Sequence, residues 1–312
     1  MLVSVLLALA TAYVVYSCFF ARSPLPIAGK YEQPGRWYAV KRAVVYVYWL
    51  IRRWRRPDDC STPRMDRPRL RPEFPASKDE LVQPLQDHPD AFDSVYMNGV
   101  DSHGNTLVTR IIRRPNRRAE VWLMLKLEDG RYFHFPGFPD TTVYNTDGQT
   151  FTAGGLQYEV LEPLLKWRVT FNGLLREGER NTWDQDEEGA LVHVKFAFVW
   201  TAYTGKFSYF DDIHPLVVSD AVASEPWTYA YLEQIREYSL AERQYELWGQ
   251  LLGEISVAGE TERKFLLRGV KEHAWGIRDL NALSRYIINR GYLEDGTSYS
   301  ISAVSISGLM SQ

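Results

Sequence analysis

The most distinctive feature of this chain is one string of polar and aromatic residues, Arg268-Gly269-Val270-Lys271-Glu272-His273-Ala274-Trp275-Gly276-Ile277-Arg278-Asp279. In an extended segment, side chains alternate between two faces. Lys271, His273 and Trp275 then share one face, with Glu272 and Ala274 opposite. A histidine beside an indole in an apolar cavity could give or take a proton, and burial would shift its pKa. The spacing predicts His273 as a catalytic acid or base and Lys271 and Trp275 as ligand-binding residues.

A structural role for the same residues is the alternative interpretation. His273, Trp275, Arg278 and Asp279 could form a buried network between two β domains, with His273 donating to a carbonyl or carboxylate and Trp275 filling the interface. A pair of Glu272 with Arg268 or with Arg278 is more often a structural ion pair than an acid-base pair. The pattern alone leaves both interpretations open.

The motif resembles the R-D-H-S-W-G-x-R-D signature of the two-barrel, lipocalin-like superfamily of carotenoid hydratases, AttH-like proteins and related cyclases. Strand-like runs from Trp167 to Leu175 and from Tyr245 to Val257 extend the resemblance over roughly residues 90–307. It implies two lipocalin-like antiparallel barrels. In the hydratase branch, it also implies a pocket lined by the motif His and Trp with a downstream carboxylate. The downstream run 297–307 holds Tyr299, which we assign to ligand binding, and no Asp or Glu.

The elements that must position these residues are mostly β-strands. Of 312 residues, 45 % are apolar and 14 % aromatic, a composition that favours pleated sheets. Alternation predicts one-sided strands, with Trp167, Val169 and Phe171 sharing one face. Hairpins are indicated by Asp-Gly or His-Gly steps at 103–104, 129–130, 147–148 and 295–296. We predict strands at 107–113, 120–127, 156–161, 166–175, 191–203, 243–257, 264–275, 284–292 and 297–307, and one helix at 219–239.

The N-terminal end has the character of a membrane segment. Leu2 to Phe20 is an uncharged apolar run long enough to cross a bilayer, and it lacks the basic start and small-residue site of a cleaved signal. Basic residues follow it, so the positive-inside rule places the C-terminal domain in the cytoplasm. A helix near 37–56, ending in an arginine cluster, would lie in the headgroup plane or pack on the body of the protein.

The charge is divided unevenly along the chain. Residues 1–75 contain 13 Lys and Arg against 5 Asp and Glu, although the whole chain has a net charge of −3. The main body is therefore acidic, which argues against nucleic acid as a partner and favours membrane lipid for the basic end. His134, His193, His214 and His273 with Asp211 and Asp212 lack the spacing of metal ligands. We therefore predict no metal and no cofactor, and no phosphate-binding glycine loop or serine nucleophile elbow is present.

The predicted organisation has six parts. These are a transmembrane anchor (1–21), a basic interfacial or amphipathic helix region (22–56), a Pro/Arg-rich linker (57–90), a first β-barrel (91–215), a helical connector (216–242) and a partial second β-barrel (243–312). This arrangement resembles, more narrowly, the N-terminal region of phosphoenolpyruvate synthase-like proteins of animals. The catalytic core of such an enzyme would need several hundred further residues.

Three functions follow as expectations. The first is a membrane-anchored, single-pass protein whose lipocalin-like region binds an apolar small molecule or serves as a docking module. The second is a lyase or isomerase acting on a lipid or isoprenoid, with His273 as acid or base. The third, carried by the resemblance, is an accessory region of a longer phosphotransferase. The sequence does not decide whether the chain is an enzyme.

Overall fold

The computed structural model describes residues 2–20, 22–55, 75–145, 147–178, 189–278, 283–306 and 310. The chain forms two compact units. One comprises Met1–Asp59, Phe210–Ala241 and Asp279–Gln312, and the other comprises Cys60–Tyr209 and Glu242–Arg278. Most of the Pro/Arg-rich linker, residues 57–74, lies outside the described residues, as do Arg56 and Asp279.

The first unit begins with an apolar helix, α1 (Leu2–Val15), which continues as one π-helical turn over Tyr16–Phe20. Val3–Phe20 is long and apolar enough to cross a membrane, and almost all of it is exposed. The apolar N-terminal helix predicted from the sequence is thus confirmed. By length and composition alone, a membrane span and a signal sequence meet the same criterion.

The remaining elements of this unit are helical except for one hairpin. They are α2 (Tyr38–Trp54), the four-residue α3 (Tyr209–Asp212) at the unit boundary, α4 (Pro215–Ser224), α5 (Tyr229–Ala241), and two strands, β13 (Leu283–Tyr292) and β14 (Ser298–Ile306), that pair only with each other. The prediction of one helix over 219–239 is wrong, because two helices, α4 and α5, cover this region. Glu225 is extended because it precedes Pro226, and a residue before proline disfavours the helical conformation.

Helix α2 has two different faces. One face packs on α4: Tyr38 donates a hydrogen bond to Asp220 (2.9 Å), and Lys41 Nζ donates to the carbonyl of Glu225 (2.5 Å). The opposite face exposes apolar side chains at helical spacing, namely Val44, Val47, Tyr48, Ile51 and Trp54. The helix is therefore packed within its unit and still presents an apolar stripe.

The second unit is a closed antiparallel barrel of eight strands in the order β11-β12-β1-β2-β3-β4-β8-β9. Its strands are β1 (Ala91–Val100), β2 (Thr106–Arg113), β3 (Arg118–Lys126), β4 (Tyr132–His134), β8 (Lys166–Glu177), β9 (Leu191–Ala202), β11 (Glu242–Val257) and β12 (Arg263–Ile277). Four short strands extend it, namely β5 (Thr142–Tyr144), β6 (Phe151–Ala153), β7 (Leu156–Glu162) and β10 (Phe207–Ser208). Turns of 3₁₀ helix cover Pro75–Glu80 and Pro115–Arg117.

The expectation that residue 243 begins a second barrel is wrong for β11 and β12. β11 pairs with β9, and β12 pairs with both β11 and β1, so the two strands close the first barrel. Without them, β1 and β9 would be left with unpaired edges. Within the described residues, β13 and β14 form a separate two-stranded sheet and no second barrel is present.

The barrel interior is packed with side chains from alternating positions. In β8, Trp167, Val169 and Phe171 are all buried, as the alternation predicted, while their neighbours Lys166 and Arg168 are exposed. Close packing of β11 on β9 requires a glycine: a Cβ at Gly249 would lie 2.4 Å from the carbonyl oxygen of Thr201. The fold therefore encloses a dense aromatic core, and the motif strand β12 forms part of its wall.

Candidate functional site

The motif strand β12 turns its reactive side chains toward the inside of the barrel. Lys271 and His273 are both fully buried, at 0 % exposure. Trp275 is half-buried and packs against the core, with its ring centroid 4.9 Å from that of His273. The structure thus brings together the three residues that the alternation placed on one face.

Lys271 is the centre of an aromatic enclosure. Its ammonium lies 4.2 Å from the ring centroid of Trp167, 4.9 Å from that of Tyr245 and 6.0 Å from that of Trp200. Lys271 Nζ also donates to Glu80 Oε1 (2.6 Å) and to the Tyr245 hydroxyl (3.0 Å). A cation held this way gains from the negative ring faces as well as from its carboxylate partner.

Glu80 comes from the 3₁₀ turn that precedes the barrel, and its carboxylate is saturated with hydrogen bonds. Oε1 accepts from Lys271 Nζ and from the Tyr245 hydroxyl. Oε2 accepts from the indole N–H of Trp167 and from the backbone N–H of Leu164 (3.1 Å). Four donors converge on one fully buried carboxylate, an arrangement that favours its charged form.

These surroundings shift three pKa values. Burial alone would raise the pKa of the Glu80 carboxyl, but the Lys271 charge and the accepted hydrogen bonds hold it below its ordinary value of 4.5. Burial lowers the pKa of the Lys271 ammonium below 10.5, with the Glu80 charge acting in the opposite direction. Burial and the Glu80 charge raise the pKa of the Tyr245 hydroxyl well above 10.0. At neutral pH Glu80 therefore accepts hydrogen bonds and Tyr245 keeps its proton.

His273 links this enclosure to a second buried ion pair. Its Nε2 lies 2.7 Å from Asp93 Oδ1, and its Nδ1 lies 3.5 Å from the Tyr245 hydroxyl. The other oxygen of Asp93 accepts from Arg113 Nη1 (2.6 Å) and from the backbone N–H of Gln83 (2.8 Å). A continuous polar chain thus runs from Arg113 through His273 and Tyr245 to Glu80, and it could carry a proton between the two carboxylates.

The carboxylates of the site come from upstream of the motif. The resemblance implied a downstream carboxylate, and the run 297–307 has none. Asp93 and Glu80 supply the acid groups instead, because β1 pairs directly with β12 and the preceding turn reaches the same interior. Tyr299, assigned to ligand binding, lies on β14 in the other unit and is not part of the barrel sheet.

The residues predicted as a structural network lie along β12 and just beyond its end. Arg268 is exposed on β12, whereas Glu272 is buried on the face opposite His273. Arg278 forms an ion pair with Glu242, the first residue of β11. Asp279 lies outside the described residues. Trp275 and His273 do pack together, but inside one barrel rather than between two.

The barrel interior is closed in this structure. A cavity of about 340 Å³ on the same unit is lined by Arg113 at the end of β2, by the β2–β3 connection and by residues 85–87, and not by His273 or Trp275. Across the part of the chain that the structure describes, no three His, Cys, Asp or Glu side chains are grouped as metal ligands. Access to Lys271 and His273 therefore requires movement of a covering segment.

Three site residues, Asp93, Tyr245 and Glu80, were missed by reading the sequence. The sequence did contain a pattern that could have identified Asp93. It alternates with the apolar residues Ala91, Val95 and Met97 of β1, which places a carboxylate at a core position. The pattern for Tyr245 is weaker, because a tyrosine at an inward position of β11 is common in a hydrophobic core. Glu80 lies in a short turn with no periodicity to mark it as buried.

Substitution of Lys271 tests how much the buried Lys271–Glu80 ion pair contributes to stability. We expect Lys271→Met to lower the free energy of unfolding by about 3–5 kcal/mol, because it leaves a buried carboxylate without its cation. Glu80→Gln combined with Lys271→Met should recover most of that loss, since the remaining groups are neutral. Denaturant unfolding of the full chain in detergent, followed by tryptophan fluorescence, measures both. Lys264→Met, exposed on the same strand, is the control; a harmless Lys271→Met change would contradict this prediction.

The lowered pKa of Glu80 predicts a specific acid sensitivity. The unfolded chain takes up the Glu80 proton more readily than the folded chain, so its contribution to stability is complete above about pH 4.5 and is lost as the pH falls through its folded-state pKa. The stability difference between the native chain and Glu80→Gln should therefore shrink below that pH. Glu128→Gln, at an exposed turn, is the matched control. A difference in unfolding free energy between the native chain and Glu80→Gln that stays constant down to about pH 3 would contradict the prediction.

Comparison with known proteins identifies the family of the chain and no more. No curated protein matches it. A family model described as "Family of unknown function (DUF8627)" matches residues 2–309, nearly the whole chain, including the apolar N-terminal helix, the barrel strands and the motif. The chain therefore belongs to the DUF8627 family.

Proposed function

We propose that this protein is a membrane-anchored barrel that binds an apolar small molecule in its interior, beside Lys271, His273 and Trp275. The observation that carries the proposal is the enclosure of a charged lysine by aromatic rings at the centre of the barrel. Burying an ion pair is costly, and apolar residues of similar volume would stabilise a purely structural core at least as well. A polar cluster within an apolar interior is the usual composition of a small-molecule site.

An unused hydrogen-bond donor supports the same proposal. The indole nitrogen of Trp200 is buried, and among the described residues it has no acceptor. A buried donor without a partner is costly and calls for an explanation. Its ring faces the Lys271 ammonium at 6.0 Å, so a ligand oxygen near Lys271 would provide the missing acceptor.

The membrane side of the proposal rests on the first unit. We propose that α1 crosses the bilayer once and that the barrel faces the cytoplasm, since Arg22, Lys30 and Arg36 follow the helix. Trp37, at the start of α2, packs edge-on against Phe19 at 5.2 Å between ring centroids. The apolar stripe of α2 would then continue along the membrane surface, where apolar ligands concentrate.

A photoreactive ligand tests the binding proposal. A long-chain fatty-acid methyl ester that carries a diazirine, added to the full chain in nanodiscs, should label peptides from β8, β9, β11 and β12. Trp275→Ala removes a large aromatic side chain that would contact the ligand, and it should reduce barrel labelling about tenfold. Leu252→Ala, 57 % exposed on β11, is the control and should leave labelling unchanged. Labelling confined to α1 would refute the proposal.

Catalysis on a lipid or isoprenoid is the second candidate, favoured by the position of His273 between Asp93 and the Tyr245 hydroxyl. Such a histidine could exchange a proton with a polyene, with Asp93 orienting its ring. Incubation with squalene in D₂O should give deuterium incorporation with the native chain and none with His273→Asn. The absence of incorporation with the native chain would eliminate proton transfer to this polyene.

The resemblance to larger proteins adds one further proposal. In it, the chain is the accessory region of a longer phosphotransferase-like protein, and β13 and β14 belong to a second lipocalin-like barrel completed by additional strands. Sequencing of full-length transcripts tests this proposal, and a transcript that ends at Gln312 with no longer form would contradict it.

A further inference from the structure

The Glu80 carboxylate lies in a site that is complete for an acid group. Lys271 Nζ, the Tyr245 hydroxyl, the Trp167 indole and the Leu164 N–H direct four donors at its two oxygens. Each oxygen receives two donors, the number expected for a charged carboxylate. Lys271 balances one negative charge, so the donor set fits a monoanionic carboxylate better than a doubly charged phosphate.

Three of these four donors belong to the barrel strands, whereas Glu80 does not. Glu80 ends the 3₁₀ turn Pro75–Glu80, and the stretch from there to β1 pairs with no strand. This arrangement separates the acid group from the sheet that binds it. The site therefore belongs to the barrel, and Glu80 is inserted into it from a separate segment.

The segment around Glu80 is attached mainly by polar contacts. Asp79 forms an ion pair with Lys206, and the backbone of Gln83 bonds to Asp93 and Arg113. Leu81 is 59 % exposed, and Val82 is only partly buried against the core. Displacement of this segment therefore breaks polar contacts but sacrifices little apolar packing.

We infer that Glu80 is a built-in substitute for the acid group of a ligand, and that the ligand is a long-chain carboxylic acid. This inference rests on the proposed function and specifies its ligand class. The ligand carboxylate takes the donors of Glu80, and its chain packs on the rings of Trp167 and Trp200 and in the space vacated by Val82. Because Glu80 is tethered to the barrel, it competes with the ligand and keeps the interior closed in its absence.

Two matched photoreactive probes test the inference in the full chain in nanodiscs. They are a diazirine-bearing long-chain fatty acid and its methyl ester, which differ only in the acid group. Glu80→Ala should increase barrel labelling by the acid about tenfold if the open form is about one tenth of the native population. The ester needs the same open form and should gain by a similar factor, but it should label the barrel less than the acid in both forms because it cannot pair with Lys271. Lys271→Met should abolish this preference for the acid. Glu128→Gln is the control for loss of an exposed carboxylate.

The outcomes separate the two proposals. Acid-selective labelling that rises in Glu80→Ala supports the inference. Equal barrel labelling by acid and ester, unchanged in Glu80→Ala, overturns the inference and leaves small-molecule binding intact. Failure of both probes to label the barrel in every variant refutes the proposed function itself.

Two further measurements keep the test decisive if Glu80→Ala does not fold. Glu80→Gln preserves the shape of the side chain and should show the same increase with a smaller amplitude. In the native chain, the acid should raise deuterium uptake by residues 78–83, because it displaces the segment, and it should do so at a lower concentration than the ester, which cannot pair with Lys271. Acid crosslinked inside the barrel without such a rise would overturn the inference.

Discussion

The ion pair between Lys271 and Glu80 is the constraint on which the rest of this barrel depends. Both side chains are fully buried, and their atoms are 2.6 Å apart. Two charges removed from water are tolerated only if geometry and additional hydrogen bonds compensate their desolvation. Trp167, Tyr245 and the backbone of Leu164 provide that compensation, so β8, β11 and the turn between β7 and β8 each direct one donor at a single carboxylate.

This pair also determines how distant parts of the chain meet. Glu80 and Lys271 are 191 residues apart, and Asp93 and His273 are 180 apart. Each contact ties the start of the barrel domain to its last strand, on opposite sides of the helical excursion through the other unit. The barrel consequently closes only when β11 and β12 return, and closure completes the polar site at the same time.

The same geometry relates the binding and catalytic proposals. His273 is held by Asp93, faces Tyr245 and lies near a cation, all inside an apolar wall. Such a site would recognise the acid end of an amphipathic ligand. It could also move a proton along the hydrogen-bonded groups from Asp93 through His273 and Tyr245 to Glu80. A membrane anchor would place it where such ligands are concentrated. Because Glu80 closes the interior, both ligand binding and catalysis would begin with the release of the short segment that carries Glu80.

Local pattern alone determined much of this protein. Composition and alternation indicated a mainly β body with one-sided strands, an apolar N-terminal helix, and the shared face of Lys271, His273 and Trp275, because these features depend on neighbours along the chain. Only the tertiary structure decided that β11 and β12 close the first barrel, and that Asp93, Tyr245 and Glu80 complete the site. Strand order and long-range ion pairs depend on which segments meet after folding, and no periodicity in a single strand or turn encodes that choice.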